Sequence, residues 1–131
     1  MRRTRLGVVV ALIVPAIAAP AQPAEAAPSC FATASDPARD PLNPSRVVAY
    51  HGVVCTEEVD SIIVVGQLTK DGSQRDSSSE VCYAEDRCST STAATYDGRG
   101  TWHGFTTGSY FVDGERRARE LRRVRSRCKT F

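Results

Sequence analysis

The chain has 131 residues, 41% of them hydrophobic and 24% charged, with 17 Lys+Arg against 15 Asp+Glu and a formal net charge of +2. Domains cluster at about 100–150 residues. This length therefore excludes a two-domain enzyme, a (β/α)₈ barrel, and a dinucleotide-binding domain with a separate substrate domain.

The first segment reads as an export signal over residues 1–26. Arg2, Arg3 and Arg5 precede the fourteen-residue apolar run Leu6–Ala19, and a Pro/Ala-rich stretch follows with Ala24 and Ala26 as its small residues. Cationic start, apolar centre and small-residue cleavage zone are the three parts of a secretory signal. As a helix the run reaches roughly 21 Å, short of the ~30 Å hydrocarbon core. Later apolar runs do not exceed the four residues Ile62–Val65. The mature chain, 27–131, is thus expected outside the cell, off the membrane and monomeric. Ten residues separate the apolar run from Cys30, too many for a lipid-modified cysteine.

Export changes how the five cysteines are read, because thiols oxidise outside the cytosol and small exported domains use disulfides to supplement a limited core. Cys30, Cys55, Cys82, Cys88 and Cys128 are an odd set, so one is left over, and sequence alone does not choose among the pairings. Cys82–Cys88 is favoured first, because Glu85 and Asp86 between them look like a turn. Cys30–Cys55 comes second, tying the lead-in to the domain and leaving Cys128 unpaired. Neither the Cys82-x₅-Cys88 spacing nor the two histidines supply a zinc set, so no metal is expected.

Residues 27–45 are rich in Pro and Asp and read as an extended lead-in; residues 46–131 form the domain. Arg46–Cys55 reads as a strand with Gly52 as a bulge. Val59–Thr69 is the strongest strand, apolar on both faces and so suited to the middle of a sheet. Asp71-Gly72 is a type I′ turn signal. Ser73–Glu80 is an edge strand or a loop, and Glu80–Ala84 and Ser89–Tyr96 are short strands. The glycine-rich stretch Asp97–Gly104 is a turn or irregular loop, and Phe105–Val112 is a strand. Glu115–Arg122 is ambiguous, its charges being spaced as helical i,i+4 pairs. Arg123–Thr130 alternates with period two, placing Arg123, Arg125, Arg127 and Lys129 on one face. Together these predict an all-β fold, a small antiparallel β-sandwich or partly closed barrel braced by disulfides.

The sequence Gly52-Val-Val-Cys55, Val59-x-Ser-Ile62-x-Val64 and Leu68-x-x-Asp-Gly72, followed by Cys82 and Cys88, resembles small secreted proteins of high-GC Gram-positive bacteria, mostly of no assigned activity. The resemblance spans about residues 50–110 and implies an immunoglobulin-like sandwich and export. Fifteen Arg against two Lys agree with a GC-rich genome.

Catalysis is not expected. His51 and His103 lack a nucleophile motif such as G-x-S-x-G, and Glu57 and Glu58, adjacent on a strand, point to opposite faces. No cofactor is expected. Two features suit binding. Trp102 and Phe105 can offer aromatic contacts or, for Trp102, anchor the core. Charge is also asymmetric: residues 27–114 carry six basic and twelve acidic groups, net −6, while 115–131 carry eight basic and two acidic, net +6. The basic strand either grips an anionic polymer or is a solvated edge protected by its charge. The expected function is therefore a secreted non-catalytic module that binds an extracellular protein or an anionic polymer. The alternative is a protease inhibitor presenting Tyr83–Arg87 as bait.

Overall fold

The computed structural model describes residues 26–131; apart from Ala26, the expected signal lies outside the described residues. Eight strands form one antiparallel sheet: β1 (Cys30–Ala34), β2 (Ala38–Arg39), β3 (Arg46–Lys70), β4 (Ser73–Thr95), β5 (Thr101–Phe111), β6 (Arg119–Glu120), β7 (Val124–Arg125) and β8 (Lys129–Thr130). Of the two architectures expected, the sheet takes the partly closed barrel, curling on itself as a half-barrel.

A single long hairpin explains the curl. Asp71 and Gly72 have φ of 50° and 80° and pair Lys70 with Ser73, the tight turn expected there. The two expected strands on its near side are one 25-residue strand, β3. Pairing slips between Val54 and Val59, where Cys55–Glu58 stand opposite Asp86 alone. Such an irregularity bends a strand without ending it. The buried face follows the bend: Val47, Ala49, His51, Val53 and Cys55 point inward before it, Ile62, Val64, Gly66 and Leu68 after it. The partner β4 is likewise one strand of 23 residues: Ser73–Glu80 takes the strand and not the loop of its two readings, and it runs on through the two short strands expected after it. Its kink is at Ala84, which has φ of 50°.

Further corrections concern β5 and the two ends. Thr101–Gly104 belongs to β5 and not to a loop, because its residues pair with Leu68, Thr69 and Lys70 of β3 and with β8. The lead-in adds β1, paired with His51–Cys55, and β2, paired with Val47 and Val48. Glu115 and Arg119 do form an ion pair, but in a bend, not a helix.

Two seams bring the curled sheet near to closure. Along one, the halves of β4 face each other: Ser78 donates to the Ser91 carbonyl (2.8 Å) and Asp76 accepts the Ala93 N–H (2.8 Å). Along the other, Asp36 accepts the Arg127 N–H (3.0 Å) and its guanidinium (3.1 Å). At each seam a carboxylate satisfies a strand-edge donor that the ladder leaves open.

Two apolar clusters fill the interior. Val53, Cys55, Val59, Ile62, Val64, Cys88, Tyr110 and Val112 form the first, with Cys30 and Cys82 packed against it, so both disulfides lie at this end. Val47, Ala49, Leu68 and Trp102 form the second. His51, between them along β3, is 1% exposed and held by Thr106 at Nδ1 (3.0 Å) and Thr92 at Nε2 (2.7 Å). Burial pushes its imidazole below the ordinary 6.5, which keeps it neutral in the folded chain.

Candidate functional site

Disulfides join Cys30 to Cys55 and Cys82 to Cys88, and Cys128 is free and exposed. Cys30 and Cys55 are direct cross-strand partners, with Cα atoms 4.0 Å apart. The Cys30 sulfur is thereby engaged and does not offer a thiol for a lipid. Cys82 and Cys88 bracket the kink of β4, and Tyr83–Arg87 between them are all exposed, Tyr83 to 72%.

The C-terminal segment runs antiparallel along the free edge of β5. Arg119 and Glu120 pair with Tyr110 and Ser109, Val124 and Arg125 with Thr106 and Phe105, and Lys129 and Thr130 with Trp102 and Thr101. Between these short pairings, buried Ser126 binds Gly104 twice, through its own N–H (2.8 Å) and through its hydroxyl (2.8 Å). The uninterrupted strand expected over Arg123–Thr130 is therefore absent. Its alternation holds through Val124 and Ser126 and then lapses, with Cys128 and Thr130 exposed.

The four basic residues expected to form a ladder meet different surroundings. The Arg123 guanidinium lies 4.0 Å from the centre of the Phe105 ring, a cation–π geometry. Arg127 is committed to Asp36. Arg125 and Lys129 are exposed and form no ion pair among the described residues. Upstream, Arg119 donates to Glu115, which lowers that carboxyl below its ordinary range. Arg116, Arg117 and Arg122 are exposed and unpaired in the same sense.

Aromatic contact narrows to Phe105, which is half-buried. Trp102 is fully buried, in the cluster with Val47, Ala49 and Leu68, so its ring cannot meet a partner. His103 lies half-buried with its ring centre 6.1 Å from that of Phe105. Glu57 and Glu58 are both exposed at the bend of β3.

One site escapes the sequence reading altogether. A depression of about 410 Å³ is lined by Arg46, Arg75, Ala93, Ala94, Thr95 and Asp97. At its wall Asp97 takes the Lys70 ammonium on one oxygen (2.5 Å) and the Arg75 guanidinium on the other (3.0 Å). The hydrogen bond from Lys70 is the main reason its carboxyl lies below the ordinary value. Arg75 reaches the site because pairing slips between Leu68 and Thr69: Leu68 meets Asp76, Thr69 meets Gln74, and Arg75 is left over. Composition and spacing carry no signal for a bulge of this kind.

Comparison with protein-family models, curated proteins and solved structures returned no match.

Proposed function

We propose that the chain is a secreted, non-catalytic module that binds anionic polymers along its basic C-terminal edge. One observation carries the reading. Of the eight basic residues in 115–131, only Arg119 and Arg127 form ion pairs among the described residues, which leaves Arg116, Arg117, Arg122, Arg123, Arg125 and Lys129 exposed. The acidic body does not neutralise these six at contact range. Held along one edge, they attract a polyanion and release its counterions, so binding should weaken steeply with salt. Nucleic acid, teichoic acid and sulfated glycans all present such charge. The signal-like N-terminus and the two disulfides support export.

Retention of the mature protein on heparin tests this. Replacing Arg123, Arg125 and Lys129 together with Ala should move elution to clearly lower salt; elution at the same salt would refute the reading. Arg127 stays in place, since it also closes a seam of the fold.

The protease-inhibitor reading draws on the exposure of Tyr83–Arg87 within a disulfide-closed loop, where preorganisation lowers the entropic cost of binding. Inhibition of trypsin-like proteases at micromolar protein, abolished by Arg87→Ala, would establish it; no inhibition across the panel removes it.

A further inference from the structure

The seam between the two halves of β4 opens at one end into the depression beside Arg46 and Arg75, and there, among the described residues, the edge of β4 that faces away from β3 pairs with no other strand. The Tyr96 N–H points toward β3, donating to Ser45 (2.6 Å), whereas the Ala93 N–H points away, donating to Asp76. Successive residues of a strand direct their N–H and C=O groups to opposite edges. Thr95, between Tyr96 and Ala94, therefore turns both its groups outward, as Ala93 turns its carbonyl. These groups face the depression that Ala93, Ala94 and Thr95 line.

Charge is also left over at this site. Arg46 is exposed and forms no ion pair among the described residues. Lys70 and Arg75 share the single carboxylate of Asp97. Counting Asp76, which accepts the Ala93 N–H at the same seam, three cations face two carboxylates; one positive charge is left for a further negative group, and the guanidinium fork of Arg46 suits a planar carboxylate.

We infer that this end of the seam binds the C-terminus of an extended peptide, whose last residues pair with the Thr95 N–H and carbonyl and with the Ala93 carbonyl, and whose terminal carboxylate meets Arg46 and Arg75. Open strand edge and unmatched arginine together are the parts that β-augmentation and carboxylate capture require. The inference does not rest on the function proposed for the basic C-terminal edge, whose last residue, Phe131, packs on Tyr96 beside this site.

The test uses ¹⁵N-labelled mature protein and an N-acetylated pentapeptide of alternating threonine and valine. Its free-acid form should shift the amide signals of Thr95 and its neighbours, and its C-terminal amide should bind at least about tenfold more weakly. Arg46→Gln should weaken the free acid to a similar extent while leaving the rest of the spectrum in place, which shows the fold intact. Equal binding of acid and amide would overturn the inference. So would acetate reproducing the peptide's shifts at the same concentration, since that marks an anion site without a strand. A spectrum unmoved by the peptide overturns it outright.

Discussion

The imidazole of His51 fills the space where any side chain at Gly66 would begin: a Cβ on Gly66 would overlap the ring carbons. Both residues lie on β3, on opposite sides of its bend, so their meeting is a direct measure of how far the strand folds back. Gly66→Ala should therefore cost about 2 kcal/mol, in the range of core overpacking. Urea unfolding would show it as a lowered midpoint at an unchanged slope. A substitution that leaves the midpoint in place would mean the two halves of β3 are not packed this way.

His51 should make stability depend on pH. Its folded pKa lies below the unfolded 6.5, so near and below that pH the unfolded chain binds a proton that the folded chain refuses. The contribution of neutral His51 is complete above 6.5 and is lost as pH falls toward the folded value. The urea midpoint should drop between pH 7.5 and pH 5, and His51→Gln should flatten that slope whatever its effect on the midpoint itself.

The two disulfides should differ in weight. Loop-closure entropy assigns about 3.5 kcal/mol to Cys30–Cys55, whose ends are 25 residues apart, and about 2.2 kcal/mol to Cys82–Cys88, 6 apart. Paired Cys→Ala variants of each, unfolded in urea, should rank in that order. The native protein should also show one thiol reactive to a colorimetric reagent, from Cys128; two or more would contradict the pairing.

Seam closure by a carboxylate predicts a local signature. Asp76→Ala removes the acceptor of the Ala93 N–H and should cost about 1 kcal/mol. Hydrogen exchange at the Ala93 amide should accelerate, while amides of β5 stay protected. Asp76→Asn keeps an acceptor oxygen and should restore most of the protection.

Period-two burial and the Asp71-Gly72 turn made the strand content legible, because alternation and positive φ are local properties. The glycine-rich stretch before Gly104 misled for the same reason: locally it reads as a loop, yet Trp102 within it is core because β5 continues through it against β3. Charge in 115–131 was visible as composition. Which of those charges stay unpaired was not, since Asp36, which takes Arg127, lies far away in sequence and meets it only across a seam.

What the residue order determined by itself was a β protein with oxidisable cysteines and a strongly basic end, because side-chain alternation, turn chemistry and charge all act within a few residues. Tertiary structure alone decided that two expected strands are one bent strand. It also broke the basic ladder and placed Arg75 beside Arg46. Those outcomes depend on register, and register is set by packing between segments that no local pattern joins.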